Sequence, residues 1–248
     1  MCNALRNHEI DAAIALTEGL TADLLRGNPS KLLATYVSTP LMWGVHVPRA
    51  SPLLSLDQLD ATARFAVSRM GSGSHLMACV DAHARGRDPT KLNFEVVGSL
   101  EGARSALSSG AADVFMWEKF TTKFLVDSGE WRRIGEVPTP WPCFSVAATD
   151  RALTDCAPEL LLTLEVLRAA AESLRADVRC CEIIAQEYHQ QEADIREWIS
   201  GVSWDCRPVV DQGMLSRVMQ ALVEAQVLET GELVPPSQLV SSHTSDVS

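Results

Sequence analysis

The sequence predicts an α/β protein in which helices pack on a parallel or mixed sheet and a helical C-terminal region follows. Short apolar runs alternate with amphipathic stretches between Ser51 and about Glu136, which is the rhythm of βα units. From Pro158 onward the pattern changes to long amphipathic helices. The 248 residues suffice for one large domain or for two small lobes, each with its own core.

The boundaries of the elements follow from where the periodicity changes. Strands are predicted at residues 10–16, 31–37, 43–47, 64–68, 93–98 and 112–116, and the first is expected to end in a polar loop. Helices are predicted at residues 74–85, 100–109, 158–174, 179–192, 193–200 and 211–227. The prolines that open the run 138–149 indicate a stiff, hinge-like connector, and the β-rich remainder of the run predicts that it enters a strand. Residues 235–248 are too polar to bury a core of their own, so a disordered tail is expected.

Composition argues against several classes of partner. The chain has 21 Lys and Arg against 32 Asp and Glu, a net charge of −11, so no nucleic acid partner is expected. Without an 18-residue apolar run, no membrane insertion is expected. The seven cysteines show no CxxC spacing, which predicts reduced thiols and no metal site. Because the N-terminus also lacks a secretory signal, the sequence predicts a cytoplasmic protein or a chain that has lost its leader.

The sharpest motif is the turn Gly71-Ser72-Gly73-Ser74-His75 between a predicted strand and helix. Glycines allow close approach of the backbone, and the N–H groups of a first helical turn favour an anion. The alternative is an ordinary helix start capped by Ser72 or Ser74. His75 is expected to contact a ligand or to lie on the rim of the site. The turn matches neither a Walker loop nor a dinucleotide fingerprint, and it lacks the spacing of a nucleophile elbow.

Three further strand ends carry polar and aromatic side chains, which is where α/β folds bind ligands. These are Thr17 and Glu18 after the first strand, Thr39 and Trp43 around the third, and Trp117, Glu118 and Thr121 after the strand 112–116. The alternatives are that Trp117 belongs to the core and that Glu118 is a solvated helix-start residue.

Four motifs in order, Ile14 to Gly19, Ser68 to His75, Ala112 to Glu118 and Pro138 to Pro142, resemble the periplasmic-binding-protein type II superfamily. The chain is most similar to the branch of nitrate, sulfonate and taurine binding proteins and thiamine-pyrimidine proteins, including stand-alone cytosolic members. The resemblance implies two α/β lobes that close on a ligand by hinge motion, as in relatives of ABC transporters. Relatives have a strand, a helix and a strand before the first motif, so it also implies a first lobe that is incomplete at its N-terminus.

Mapped on this sequence, the resemblance places the discontinuous first lobe at 1–45 plus 139–234 and the second lobe at 46–138. It implies an interlobe cleft with a ligand-binding set made of Thr17, Glu18, Thr39, Trp43, Gly71, Ser72, Gly73, Ser74, His75, Trp117, Glu118, Thr121 and Trp141.

The resulting expectation is a protein that binds a small polar or anionic molecule, such as a sulfonate, a phosphate or a pyrimidine, without chemistry and without a cofactor. Two alternatives stay open. One is an enzyme of the thiamine-pyrimidine synthase type, although this sequence has no cysteine-rich segment of the kind found in those relatives. The other is an interaction or regulatory protein that keeps the fold without the pocket, for which a homodimer would be a sign.

Overall fold

A computed structural model describes residues 1–60 and 62–245. The strands are Ala12–Leu16 (β1), Ser30–Val37 (β2), Met42–Pro48 (β3), Arg64–Val67 (β4), Asn93–Val96 (β5), Val114–Glu118 (β6), Trp131–Pro138 (β7) and Phe144–Thr149 (β8). The helices are Cys2–Arg6 (α1), Thr17–Leu25 (α2), Gly73–Ala84 (α3), Leu100–Ser109 (α4), Lys123–Asp127 (α5), Asp150–Asp155 (α6), Ala157–Ala176 (α7), Cys180–Tyr188 (α8), Glu192–Gly201 (α9) and Gln212–Glu224 (α10).

The chain divides into two compact units. The first unit comprises Met1–Pro40, Trp141–Val218 and Glu232–Ser248, and the second comprises Leu41–Pro140 and Met219–Gly231. The sequence prediction assigned residues 219–231 to the first lobe, whereas they cluster with the second unit. One helical pattern spans residues 212–224, and the sequence gives no signal that α10 is shared between two units.

The first unit is built on a three-stranded antiparallel sheet in the order β1-β8-β2. Its apolar side chains form a core that includes Leu33, Val146, Leu153 and Leu164. A second cluster joins α8 and α9 through side chains such as Cys181 and Ile195. Because β1 runs antiparallel to β8, the end of β1 lies beside the start of β8.

The second unit is built on a five-stranded mixed sheet in the order β5-β4-β6-β3-β7. The strand β4 pairs in parallel with β5 and β6, while β3 pairs antiparallel with β6 and β7. The helix α4 begins as predicted, with the Ser99 hydroxyl accepting the N–H of Gly102 at 3.1 Å. It ends at Gly110, whose φ of +75° suits glycine. The mixed α/β fold predicted from the sequence is confirmed.

Two predictions about local structure are wrong. Residues 17–19 do not form a polar loop but the first turn of α2, whose positions 17, 20, 21 and 24 are buried with helical spacing. The tail was expected to be disordered because it cannot form its own core. Instead the tail packs on the core of the first unit, since Leu239 is buried and the Ser241 N–H donates to the Leu32 carbonyl at 2.9 Å. Residues 246–248 of that tail lie outside the described part.

The strand β7 and the short helices α5 and α6 have no counterpart among the predicted elements. On β7, Arg132, Arg133 and Glu136 interrupt the apolar pattern, while Trp131, Ile134 and Val137 are buried. Among the described helices, none combines the length and the apolar character needed to cross a membrane.

We expect Leu239→Ala to lower the free energy of unfolding by at least about 2 kcal/mol, because the substitution empties a buried position. Leu162→Ala is the matched control, since Leu162 is 59% exposed on α7 and its loss should change stability little. Denaturant unfolding measures both. Equal effects of the two substitutions would mean that the tail does not pack on the first unit.

Candidate functional site

Hydrogen bonds of Thr17 connect the start of α2 to the segment that enters β8. Its backbone N–H donates to the Cys143 carbonyl at 3.1 Å, which continues the β1–β8 pairing by one step. Its hydroxyl donates to the Pro142 carbonyl at 2.7 Å and lies 2.8 Å from the Ser145 hydroxyl. Since a hydroxyl has one proton, Ser145 donates in the second contact. The Thr17 hydroxyl is thus committed to bonds within the first unit.

Glu18, the second residue of α2, is a carboxylate with only 3% of its surface exposed. The indole N–H of Trp141, which is buried too, donates to Glu18 Oε2 at 2.9 Å. Within the described residues, Glu18 Oε1 has no hydrogen-bond partner. Burial is the main cause that raises the pKa of Glu18, and its own backbone N–H and the Trp141 indole oppose this only in part.

Cys143 lies beside this carboxylate, and its thiol is unreactive. The side chain is buried, and burial followed by the Glu18 charge raises the pKa of its thiol to about 12. A thiol that stays protonated is a poor nucleophile. Cys143 therefore serves as a small buried side chain next to Glu18.

Thr39 is the remaining predicted site residue of the first unit. Its hydroxyl accepts the Ser203 N–H at 3.3 Å, and its carbonyl accepts the Cys143 N–H at 3.2 Å. Thr17, Glu18 and Thr39 thus all form hydrogen bonds with the segment 139–143, which contains Trp141. A ligand role for Thr17 and Thr39 stays a prediction.

The glycine and serine turn of the second unit is a capped helix start. Ser72 is the N-cap of α3 and accepts the His75 N–H at 3.4 Å, and Ser74 accepts the Ser68 N–H at the same distance. His75 is buried rather than on a rim, with Nδ1 accepting the Gly71 N–H at 3.3 Å. Its burial lowers the pKa of the imidazole. The capping alternative therefore describes how these side chains are used here.

The backbone of the same turn still offers donors. In the described part of the chain, no acceptor faces the N–H groups of Gly73 and Ser74, the first two residues of α3. Unpaired amides at the start of a helix attract negative charge, because the helix dipole points its positive end there. These two N–H groups are the donors that the predicted anion site in this turn would use.

An aromatic cluster lies where β3 and β6 pair. The ring of Trp117 stacks on Phe115 at 5.5 Å and meets Trp43 edge to face at 6.4 Å. Trp43 is buried, and its indole Nε1 has no hydrogen-bond partner among residues 1–60 and 62–245. A buried indole N–H normally finds an acceptor. Trp43 therefore combines a packed ring with an unused donor.

Glu118 and Thr121 form a local turn. The Glu118 carboxylate accepts the Thr121 N–H and hydroxyl, each at 2.7 Å, and the Phe120 N–H at 3.1 Å. Lys119, which the sequence reasoning did not select, is buried and pairs with Glu136 at 3.3 Å. The sequence position could have identified Lys119 as a candidate, because it directly follows Trp117 and Glu118 in the same motif.

Two cavities lie away from the predicted site residues. One, of about 360 Å³, belongs to the first unit and has apolar walls that include Ile14, Leu33 and Leu164. The other, of about 340 Å³, belongs to the second unit, and the residues that line it include Pro48 and Asp113. Within the described residues, no three His, Cys, Asp or Glu side chains are grouped as metal ligands.

The buried Glu18 carboxyl should make stability depend on pH. Because its pKa is raised in the folded state, the folded chain holds this proton more tightly than the unfolded chain does. Its contribution to the free energy of unfolding therefore falls as pH rises from the ordinary value of 4.5 to the raised value. Glu18→Gln does not titrate, so we expect the stability of the variant relative to the native chain to grow over that range.

Urea unfolding at several pH values measures this difference. Glu187→Gln, on an exposed part of α8, is the control and should follow the native chain at every pH. A constant difference between Glu18→Gln and the native chain would show that Glu18 is not held in a desolvated site.

Comparisons with known proteins support the fold. The model of the Ca3427-like PBP family matches residues 47–137. The Candida albicans CA3427 gene product, described as exhibiting the generic periplasmic binding protein fold, superposes with a TM-score of 0.86 at 27% identity, covering 99% of this chain and 84% of that one. Comparison with curated proteins found no match.

Two sulfonate-binding proteins have the same fold at lower identity. The alkanesulfonate-binding protein SsuA from Xanthomonas axonopodis pv. citri, bound to MOPS, gives a TM-score of 0.78 at 18% identity over 99% of this chain and 84% of that one. The aliphatic sulphonate binding protein SsuA from Escherichia coli gives 0.75 at 14%, over 99% and 80%. The chain thus has the fold of the periplasmic-binding-protein type II superfamily, which is a fold of ligand-binding proteins.

Proposed function

We propose that this protein binds a small polar or anionic molecule of the sulfonate, phosphate or pyrimidine kind and releases it unchanged. One observation carries the proposal. Two buried side-chain atoms of the predicted binding set, Glu18 Oε1 and Trp43 Nε1, have no partner in the described part of the chain.

Leaving such atoms unpaired is costly. A buried donor or acceptor without a partner costs about 1–3 kcal/mol, more when it is charged. The described residues carry four such atoms, of which His46 Nδ1 and Arg132 Nε lie outside the predicted binding set. The other two belong to residues that the sequence predicts as binding residues, so these positions are suited to a guest that completes the hydrogen bond. The guest does not have to strip water from these atoms, because the fold has already removed it.

The second unit offers features that suit a negative group. The N–H groups of Gly73 and Ser74 begin α3, a helix of 12 residues, and the Trp43 indole adds a further donor. Neutral donors of this kind bind anions without a lysine or arginine, which agrees with a chain of net charge −11. The two SsuA proteins bind sulfonates on the same fold, which supports the ligand class.

The side chains near the predicted site support binding rather than catalysis. The Cys143 thiol is held protonated with a pKa of about 12, and the His75 imidazole is buried and accepts a backbone N–H. Neither is placed as an activated nucleophile. All seven cysteines are free thiols, which supports a cytoplasmic location as part of the proposal. The protein would then be a stand-alone relative of the solute receptors of ABC transporters.

A thermal-shift screen tests the proposal. Sulfonates, phosphates, phosphonates and pyrimidines are added one at a time in a buffer free of these groups. A true ligand at 100 times its dissociation constant adds about 2.7 kcal/mol to the free energy of unfolding. We expect at least one of these classes to raise the melting temperature in proportion to concentration. Absence of any shift across all of them would refute the proposed function.

For a ligand found in this way, we expect Trp43→Phe to weaken binding by about tenfold, the value of one hydrogen bond of 1.4 kcal/mol. The substitution keeps an aromatic ring and removes the N–H. Trp198→Phe in α9 is the matched control and should bind like the native chain. Calorimetric titration measures all three proteins, and equal affinities would exclude the Trp43 indole from the site.

A further inference from the structure

Glu18 has no positive partner in the described part of the chain. Among the described residues no lysine, arginine or histidine forms an ion pair with it, and none of the causes that shift its pKa is a nearby cation. Its only side-chain donor is the Trp141 indole, which is used on Oε2. The second oxygen of a buried carboxyl is therefore left without a donor from the protein.

The neighbouring hydroxyls cannot supply that donor, because their protons are already placed. Thr17 donates to the Pro142 carbonyl, and Ser145 donates to Thr17. The Cys143 thiol is a weak donor that stays protonated beside the carboxylate. None of the described residues offers Oε1 a proton, so a bound molecule would have to complete this hydrogen bond.

A carboxylate oxygen accepts hydrogen bonds and repels other anionic oxygens. A ligand atom that faces Glu18 Oε1 must therefore carry a proton that it can donate, as N–H, ammonium and hydroxyl groups do, whereas an alkyl group would leave the oxygen unpaired. Among these donors an ammonium group makes the strongest bond, because its charge is opposite to that of the carboxylate. A site built for a ligand N–H rejects analogues without it strongly, because its own buried acceptor then stays unpaired. The Glu18 carboxylate thus weakens the binding of anions that lack a donor and strengthens the binding of ligands with an amino group.

We propose that the ligand of this protein carries an N–H or ammonium group that donates to Glu18 Oε1, so that Glu18 selects the nitrogen-bearing members of the ligand class. The inference rests on the proposed function and names the chemistry of the ligand at the first unit. It describes a guest that has a donor group facing Glu18 in addition to the polar or anionic group of the proposed ligand class.

Matched pairs of probes test it. The pairs are taurine with ethanesulfonate, 2-aminoethylphosphonate with ethylphosphonate, and 4-amino-2-methylpyrimidine with 2-methylpyrimidine. Calorimetry or thermal shift gives the ratio of affinities within each pair at pH 7.5. In every pair that binds, we expect the member with the amino group to bind at least about tenfold tighter to the native chain.

Glu18→Gln and Glu18→Leu separate selection from folding. Both variants should bind the amino member of a pair less tightly, and Glu18→Leu should bring the ratio close to one, while Glu187→Gln should keep the native ratio. Melting of each variant without ligand shows whether it folds, and the comparison within pairs on the native chain needs no variant at all.

The possible failures are distinct. If no member of any pair binds, the proposed function fails together with this inference. If a pair binds and the member without nitrogen is equally tight or tighter, the inference alone is wrong, and Glu18 acts as a protonated donor to an anion. If the preference survives in Glu18→Leu, another residue reads the nitrogen and the assignment to Glu18 is wrong.

Discussion

The hydrogen bond from the Trp141 indole to the Glu18 carboxyl organises the candidate site of the first unit. It joins the first turn of α2 to the segment that enters β8, although the two residues lie 123 positions apart. Both side chains are buried, so the bond is made in a medium of low dielectric, where it is strong and where an unpaired oxygen is expensive. The arrangement satisfies one carboxyl oxygen and leaves the other without a partner among the described residues.

The antiparallel pairing of β1 with β8 makes this contact inevitable. Its register pairs Leu16 with Phe144, so the residues that follow β1 must meet the residues that precede β8. Thr17, Glu18, Trp141 and Cys143 are therefore neighbours because of the ladder and not because of their own chemistry. In the second unit the pairing of Trp43 with Glu118 has the same effect and brings the aromatic side chains of β3 and β6 together.

Much of this could be predicted from the sequence. The alternation of apolar runs located most strands and helices. The polar and aromatic residues at strand ends pointed to Glu18 and Trp43, the two predicted binding residues that have an unpaired buried atom. The sequence could not show that His75 is buried under Phe94, that Glu118 is used by its own turn, or that the tail packs through Leu239. Each of these depends on a long-range contact or on a side-chain rotamer, and periodicity contains neither.

The most direct measurement of the central claim is a titration of the Glu18 carboxyl by carbon-13 NMR, in the free protein and with a saturating probe from the screen. We expect the carboxyl of the free protein to have a pKa above the ordinary value of 4.5, because burial outweighs the hydrogen bonds from the Glu18 backbone N–H and from the Trp141 indole. We also expect a bound amino compound to lower that pKa. An ordinary pKa in the free protein, or one that the bound probe raises or leaves unchanged, would contradict the central claim.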